Sequence, residues 1–597
     1  MTYFIPPRLK VGEFLQRLLA RLYGTRDWKI ETVLKQAGQN LSVSPRQFRL
    51  LPRILTRLEK RTALFLVIIV LLTGGLWLSR WYNNHTFVLP EIGGTLNEGL
   101  IGFPRTTNPL LAQNQSEQDL ARLLYRSLFH HTATGQIDTD LVDKWEVGRD
   151  SKKYQFTLKS NLFWQDGTPI TSRDVIFTFK SILDKNLNSS LNSGFRNVKA
   201  VAVNDKTFTI TLPDSYAGLL HSLTFGILPE HIWQGIPASD WLKQTTNLTP
   251  IGSSAWQIKE WKRNQQNQIV AVSLAPFANQ SGTPYLTDFN LRFFENNTEA
   301  LGALKQGLIN ALAGLNLNQT QTISRSQYNL HQLQLPQYTA LFFNTDQAPL
   351  NDKNIRQALN LLINKNDLIA TALNNQVTLA NGPLTNSAIK INNSTTKLPD
   401  LAYIEKLLTT SGFTKKEDTW QNKNGSLTLT ITALDQAHFR ATAEYLKTAW
   451  EKFGIKTELK FVSADDLSGN IIPNRAYTAL LATEIIGLDN DLLAFWHSSQ
   501  SLRGANLSNF KYRDLDIILE NLRFEQNAEK IKDSQQKLVN ILLNESPAIF
   551  LYQQYYNYVM TKDIKGVNST IINQPSDRLN TSANWYTKTK HVFKLNK

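Results

Sequence analysis

An uncharged run of 18 residues, Thr62–Ser79, divides the chain into a short and a long part. Its sequence, TALFLVIIVLLTGGLWLS, lies between Arg61 and Arg80. A helix of this length rises about 27 Å, which is close to the thickness of the hydrocarbon layer of a membrane. Because the run has no polar face and is bounded by arginines, it favours a membrane-spanning helix over a buried core helix.

The charges beside this run predict its orientation. Four basic residues lie between positions 53 and 61, and an excess of Lys and Arg marks the cytoplasmic side of a span. We therefore expect residues 1–61 in the cytoplasm, residues 80–92 as a linker, and residues 80–597 in the extracellular or periplasmic space. The run begins far from the N-terminus and no clear Ala-x-Ala site follows it, so it predicts an uncleaved single-pass anchor in the cell membrane rather than a signal peptide.

The positive charge is concentrated before the span. Residues 1–61 contain 13 Lys and Arg against 4 Asp and Glu, a balance of +9 out of the total net charge of +15. The outer part is therefore only weakly basic, and we expect no nucleic acid as a partner. The stretch VGEFLQRLLARLYG, residues 11–24, has leucines on one helical face and predicts a basic amphipathic helix lying on anionic lipid. A partner-binding segment and a DNA-binding segment are the alternatives.

Several classes of chemistry have no support in the sequence. The chain has no cysteine, which excludes disulfides, thiolate metal sites and cysteine nucleophiles. It contains no HExxH, no Gly-x-Ser-x-Gly and no glycine-rich phosphate loop. The nine histidines are scattered, and the adjacent His130 and His131 would point apart on a helix. We expect a protein that is not an enzyme and has no metal site and no cofactor.

The outer part alternates strand and helix patterns. Residues 163–183, FWQDGTPITSRDVIFTFKSIL, join a turn at Asp166 and Gly167 to a helix whose start resembles a capping box of Thr171 and Asp174. This stretch predicts a structural unit, with Asp166 as a turn residue rather than a general base.

Other segments follow the same alternation. Ser116 is the predicted cap of a helix, residues 354–373 predict one long helix, and residues 438–455 predict another. Residues 427–434, LTLTITAL, predict a strand. Strands alternating with helices favour an α/β fold with covered sheets.

The order of these segments resembles the bacterial extracellular solute-binding proteins of family 5, which include the dipeptide- and oligopeptide-binding proteins of ABC transporters. The resemblance extends from about Gly93 to about Gly566. It is carried by separate blocks that follow one another in the family's order: LFWQDGTPITSRDVIFTFKSI, GILPEHIW with PIGSSAWQIKEW, EALGALKQGLINAL, LFFNTDQAPLNDKNIRQALNLLINKNDLI, GLDNDLLAFWHSSQ and ESPAIFLYQQYYNYV.

The resemblance implies an α/β, two-lobed fold of the periplasmic-binding-protein type (type II, cluster C-like), with mixed sheets and a hinge. The implied bounds are residues 93–340 and 546–597 for lobe I, with a subdomain near residues 110–200, and residues 341–545 for lobe II. The chain is expected to cross between the lobes near Asn344 and Glu545.

The implied function is capture of peptides outside the cell by hinge closure and their delivery to the permease of an ABC importer. The expected partners are a peptide or other small solute, the ABC permease subunits, and membrane lipid through the N-terminal helix. A monomer is expected.

In the family's peptide binders, an acidic residue caps the free amine of the ligand shortly before an Asp-Pro-Asp block. Asp489 and Asp491 match that block, with Asn490 in place of the proline. The position of the amine-capping aspartate falls on Ile486, and Glu484 is the nearest acid that could replace it.

A second groove-lining segment of the family corresponds to about Gln113–Glu117, before the first lobe's helix. The candidate ligand-binding residues are Gln115, Glu484, Gly487, Asp489 and Trp496.

Three alternatives to peptide import remain open at the level of sequence. The same fold could bind an oligosaccharide, a nickel chelate or a cell-wall peptide, because a fold does not determine a ligand. The protein could instead be a surface sensor or scaffold that signals through the span to the basic segment 1–61. A peptide hydrolase is the third alternative.

Overall fold

The computed structural model describes residues 57–278, 282–385, 389 and 400–594. They belong to two compact units, 57–89 with 590–594 and 90–589, which are described separately. The predicted amphipathic helix at residues 11–24, and with it the rest of segment 1–56, lies outside the described residues.

The first unit is built on one long helix. Helix α1, Arg57–His85, contains the whole predicted span and extends beyond it at both ends. The Thr86 hydroxyl donates to the carbonyl oxygen of Tyr82 at 2.8 Å and holds the last turn. Strand β1, Thr86–Glu91, follows directly and pairs with β23, Lys588–Phe593.

The second unit contains mixed sheets and many helices. Its helices are α2 (Gln115–Leu124), α3 (Ser172–Leu183), α4 (Leu219–Ser222), α5 (Glu230–Trp233), α6 (Asn297–Lys305), α7 (Leu317–Gln321), α8 (Lys353–Leu361), α9 (Lys365–Thr371), α10 (Leu401–Thr410), α11 (Ala437–Glu451), α12 (Ala464–Asp466), α13 (Leu493–Trp496), α14 (Arg513–Leu522) and α15 (Ala528–Glu545). Short 3₁₀ turns cover Ala238–Lys243, Thr245–Asn247, Ser498–Gln500 and Pro575–Asn584, and a π turn covers Leu467–Ile471.

Its strands form one large sheet and several small ones. The strands are β2 (Thr95–Ile101), β3 (Phe129–His131), β4 (Ile137–Thr139), β5 (Val142–Val147), β6 (Lys153–Leu158), β7 (Lys199–Ala202), β8 (Thr207–Thr211), β9 (Trp256–Arg263), β10 (Ile269–Pro276), β11 (Asp288–Phe294), β12 (Ala311–Leu315), β13 (Tyr328–Gln334), β14 (Gln337–Phe343), β15 (Val377–Leu379), β16 (Thr414–Lys416), β17 (Thr419–Asn422), β18 (Gly425–Ser426), β19 (Thr428–Leu434), β20 (Lys456–Val462), β21 (Ala479–Ile485) and β22 (Ala548–Thr561).

The large sheet has the order β20-β19-β21-β14-β22-β12-β2-β11-β10-β9, with β13 and β15 also paired to β22. Parallel and antiparallel pairs are mixed: β19 pairs with β20 and β21 in parallel, whereas β14 pairs antiparallel with β21 and β22. A separate four-stranded sheet, β5-β6-β8-β7, lies within residues 142–211.

Separate hydrophobic cores define two lobes. One core takes its residues from 96–333 and 558–585, and two further cores take theirs from 338–552. The chain changes core between Leu333 and Tyr338 and again between Tyr552 and Tyr558. The predicted lobe bounds stay predictions, and strand β22 runs continuously through the second change.

The strand, turn and helix predicted at residues 153–183 are confirmed. Strand β6 alternates exposed and buried residues. Thr171 is the N-cap of α3, and the carboxylate of Asp174 accepts a hydrogen bond from the Thr171 amide at 2.8 Å. Asp166 accepts from the amide of Thr168 at 2.9 Å, as expected of a turn residue, and also contacts His231 Nε2 at 2.8 Å.

Two helix predictions need correction. Ser116 does not cap α2: Asn114 does, because its side chain accepts from the amide of Glu117. The single helix predicted at residues 354–373 is two helices, α8 and α9, because Asn364 leaves the helical path and its side chain caps α9. Helix α11, predicted at residues 438–455, is confirmed.

A buried cluster of ionic and hydrogen-bonding side chains ties four elements of the first lobe together. The guanidinium of Arg578 contacts Glu98 on β2 at 2.5 Å and Asp119 on α2 at 2.6 Å, and all three side chains are at most 1% exposed. Tyr558 on β22 donates to the second oxygen of Glu98 at 3.0 Å. The cluster fixes the Pro575–Asn584 turn against the sheet.

Candidate functional site

A cavity of about 360 Å³ lies between the two lobes. Residues from 190–195 and 221–224, with Asn573, line it on the side of the first lobe, and residues 487–489 line it on the side of the second. The wall is mostly neutral and polar, with serine, threonine and asparagine side chains beside Phe195.

A second cavity, of about 190 Å³, opens beside the first. His221 and Asp489 line both. In the second cavity, residues 216–218 of the first lobe face residues 490–492 and the region of α14 in the second. Both lobes therefore contribute to each wall, which is the geometry expected where a cleft closes on a small solute.

Direct contacts hold the two lobes together around the cavities. The amide of Ala217 donates to the carbonyl oxygen of Arg523 at 2.7 Å. Gln526 Nε2 donates to the hydroxyl of Ser151 at 2.9 Å. On the other side of the cleft, the amide of Leu488 donates to Asn573 Oδ1 at 3.0 Å. These hydrogen bonds join the two lobes directly across the cleft.

The carboxylates in the cavity walls already have partners. Asp489 accepts a hydrogen bond from the Tyr216 hydroxyl, and burial raises the pKa of Asp489. Asp491 lies 3.3 Å from Arg523 Nε, and burial raises its pKa also, against the opposing charge of Arg523. Glu525 accepts from the backbone amides of Gln526 and Asn527.

Arg523 also stacks on Tyr216. Its guanidinium carbon lies 5.1 Å from the centre of the tyrosine ring, within the range of a cation–π contact. Tyr216 thus contacts Asp489 and Arg523, both in the second lobe, through its hydroxyl and its ring face.

Glu484 lies in the core rather than in a cavity wall. It is 5% exposed, and its Oε2 accepts a hydrogen bond from the Tyr338 hydroxyl. Its Oε1 has no hydrogen-bond partner among the described residues. Burial raises the pKa of Glu484 to about 8, although the hydrogen bond from Tyr338 and the charge of Arg475 act in the opposite direction.

The predicted site residues divide into two groups. Gly487 and Asp489 lie together in the cavity wall, and a φ of 77° at Gly487 places the chain in the left-handed region. Trp496 lies beside Glu484 in the core, where its Nε1 donates to the Tyr338 hydroxyl at 3.2 Å. Gln115 lies on α2 and donates to Asp119 at 2.7 Å; it lines neither of the two cavities.

Sequence reasoning missed most of the wall. The segment 190–195, Tyr216, His221 and Asn573 come from separate parts of the first lobe and carry no local motif. Of the segments in this wall, the resemblance to the family indicated only the one around residue 489. Within the described part of the chain, no group of three or more His, Asp or Glu side chains could hold a metal ion.

Comparison with known proteins identifies the class. The sequence profile of the bacterial extracellular solute-binding proteins, family 5, matches residues 136–500. The chain belongs to this family of ABC-transporter solute-binding proteins, which are transport binders rather than enzymes. The two-lobed fold predicted from the sequence is confirmed.

Individual relatives are distant but cover most of the chain. The oligopeptide-binding protein AppA of Bacillus subtilis is 23% identical over 80% of this chain and 89% of its own. The crystal structure of the ABC transporter substrate-binding protein CtaP of Listeria monocytogenes has a TM-score of 0.71 at 25% identity, covering 83% of this chain and all of that one. NikZ of Campylobacter jejuni, solved with Ni(L-His), has a TM-score of 0.63 at 22% identity, covering 82% and 99%.

Proposed function

We propose that this protein is a membrane-anchored solute-binding protein that captures peptides between its lobes and delivers them to an ABC permease. The observation that carries the proposal is the pair of cavities whose walls come from both lobes. A solute held there would contact both lobes at once and would favour the closed arrangement by its differential affinity. Gly487 and Asp489 belong to the proposed wall.

The proposal does not place Glu484 at a ligand amine. Its carboxylate is buried against Tyr338, and Gln115 and Trp496 likewise bond to other protein side chains. At the position of the family's amine-capping aspartate stands Ile486, which is 5% exposed.

A second candidate is a solute without a free amine, such as an oligosaccharide or a blocked peptide. It is favoured by the paired state of Asp489, Asp491 and Glu525, because a free ammonium group would meet no unpaired carboxylate among the residues that line the two cavities. The neutral hydroxyl and amide groups of the wall can form hydrogen bonds with such a solute as well as with a peptide.

Extraction of the bound solute tests the proposal. The full chain, purified in detergent, is denatured, and the released small molecules are analysed by mass spectrometry. We expect a set of short peptides, whose termini show whether a free amine is required. A single non-peptide species would replace peptide import by the second candidate. An empty protein that also shows no thermal shift with a peptide library would favour a sensor or scaffold.

We also propose that α1 anchors the protein, with residues 1–61 in the cytoplasm and 80–597 outside. Within the described residues, Lys60–His85 is one helix long and apolar enough to cross a membrane, and its hydrophobic side chains are exposed in the structure. Contact with lipid would remove these side chains from water, each large one contributing about 1.5–3 kcal/mol.

The anchor predicts a specific fractionation result. The full chain is expected in the carbonate-washed membrane pellet, and protease added to intact spheroplasts should digest the outer part while an N-terminal epitope tag survives. The double variant Val67→Arg and Leu71→Arg should leave the pellet, because each arginine at the centre of a span costs about 2.5–3.5 kcal/mol. Val67→Leu with Leu71→Ile is the matched control. Release of the unmodified protein, or protection of the outer part, would contradict the proposed anchor.

A further inference from the structure

His221 joins the cavity wall to a buried polar chain. It lies on the short helix α4 and lines both cavities between the lobes. Its Nδ1 is 3.1 Å from Nε2 of His131. Its other nitrogen, Nε2, has no hydrogen-bond partner among the described residues, although the ring stands in a wall where a solute would be held.

The chain continues from His131 to a carboxylate. His131 is 1% exposed, and its Nδ1 lies 3.4 Å from Asp577 Oδ2. Asp577 in turn contacts Arg122 at 3.0 Å. Burial alone would raise the pKa of Asp577, but the charge of Arg122 and the contact with His131 hold it below its usual value. Asp577 is therefore an anion that can only accept hydrogen bonds.

These contacts favour one arrangement of the ring protons on the two histidines. The anion beside Nδ1 of His131 favours a proton on that nitrogen, although the two groups are not aligned as a hydrogen bond, and this tautomer offers a lone pair at Nε2. Nδ1 of His221 must then donate to His131, which leaves Nε2 of His221 with a lone pair.

Nε2 of His221 stays an acceptor at neutral pH. Burial is the main cause that lowers the pKa of His221 to about 4, and the nearby His131 lowers it further, so the ring is neutral. Within the described walls, most neighbouring groups that could also meet a solute are hydroxyls and amides, which can donate as well as accept. His221 is different, because its partner fixes it as an acceptor only.

We propose that His221 is a specificity-determining residue whose Nε2 accepts a hydrogen bond from a main-chain N–H of the bound peptide, with His131 and Asp577 as positioning residues. The proposal rests on the peptide-binding function proposed above. A main-chain amide suits the site because it is a neutral donor that needs no unpaired carboxylate. A solute group that only accepts would place two lone pairs against each other at this point and would be rejected.

The tautomer can be measured without any solute. The full chain is labelled with ¹⁵N-histidine and studied by NMR in detergent at pH 7. The His221 signals are those that disappear in the variant His221→Gln. We expect a neutral ring with the proton on Nδ1 and a bare Nε2. His131→Phe removes the acceptor and should shift His221 towards a mixture of tautomers, with the other histidine signals reporting whether the fold is kept. A proton on Nε2 in the unmodified protein would overturn the proposal.

Matched peptides test the contact with the solute. The probes are pentaalanine with an acetylated N-terminus and an amidated C-terminus, and the same peptide methylated at every main-chain nitrogen; affinities come from calorimetry. We expect His221→Leu to weaken binding of the first peptide about tenfold, the effect of losing one well-formed hydrogen bond, and to leave that of the methylated peptide unchanged. His231→Gln, at a histidine outside both cavities that pairs with Asp166, is the control.

The outcomes distinguish a failure of the proposed His221 contact from a failure of the proposed peptide-binding function. If the first peptide binds His221→Leu as tightly as the unmodified protein, the role of His221 is wrong and peptide binding stands. If neither peptide binds the unmodified protein, peptide binding itself fails, and the assignment of an N–H donor fails with it.

Discussion

Replacing Arg578 with methionine is expected to destabilise the protein by about 3–5 kcal/mol, the usual cost of removing one partner from a buried ion pair. The guanidinium makes contacts at 2.5 Å and 2.6 Å to Glu98 and Asp119, neither of which is exposed. Without it, two buried carboxylates face each other with no cation between them. Urea unfolding of the full chain in detergent, followed by tryptophan fluorescence, measures the change.

The loss should also depend on pH. Burial raises the pKa of Glu98, and Arg578 is the charge that most opposes this effect. In Arg578→Met the folded protein would hold a proton on this pair that the unfolded chain releases, so the free energy of unfolding should fall further as the pH rises above the usual carboxylate range.

Two further variants make this prediction specific. Adding Glu98→Gln and Asp119→Asn to Arg578→Met should recover part of the stability, because no buried charge is then left unpaired. Arg173→Met is the control, since its partner Asp205 is 70% exposed and such surface pairs contribute little. Equal stability of Arg578→Met and the unmodified protein would show that the cluster is not formed in solution.

Local sequence patterns predicted the fold where the interactions that form it are local. Thr171 and Asp174 are three residues apart and bond to each other's backbone, so the start of α3 can be read from the sequence. The prediction of a single helix at residues 354–373 was wrong because the helical spacing of apolar residues continues through Asn364. The break between α8 and α9 depends on the Asn364 side chain, which caps α9. The spacing of apolar residues contains no information about a capping hydrogen bond of this kind.

The solute site was less accessible to sequence reasoning. His131, His221 and Asp577 meet across the first lobe, and no spacing along the chain relates them. The two-lobed architecture could be predicted because it is carried by many separated blocks in a fixed order. The cavity wall could not, because each of its segments contributes only a few neutral side chains.

Glu484 shows a third kind of limit. The sequence makes it the acid nearest the expected amine-capping position. In the structure it lies on β21, on the same side as Leu480 and Ala482, which belong to one hydrophobic core, while Leu481 belongs to another. A strand covered on both faces has no solvent side on which a charged residue could be expected. The sequence indicated an acid near the site, but not that the acid is buried.

Replacing Glu484 with glutamine is expected to stabilise the protein by about 3 kcal/mol at pH 7, with the gain vanishing near pH 4.5. Burial raises the pKa of Glu484 in the folded protein from 4.5 to about 8. Between these values the folded state holds a proton that the unfolded chain has released, so the free energy of unfolding falls as the pH rises. Glutamine is neutral in both states and removes this loss, while its side-chain oxygen can still accept from Tyr338.

Urea unfolding of the full chain and of Glu484→Gln, repeated between pH 5 and pH 9, measures the difference. The matched control is Glu458→Gln on β20, where the side chain is 58% exposed and no gain with pH is expected. Calorimetry with the solute recovered from the protein completes the test: the buried position predicts unchanged affinity, whereas an amine-capping role for Glu484 predicts at least a tenfold loss because a charged partner is removed. A variant less stable than the unmodified protein at pH 7 would mean that the folded state holds Glu484 as a paired carboxylate, and the raised pKa would then be wrong.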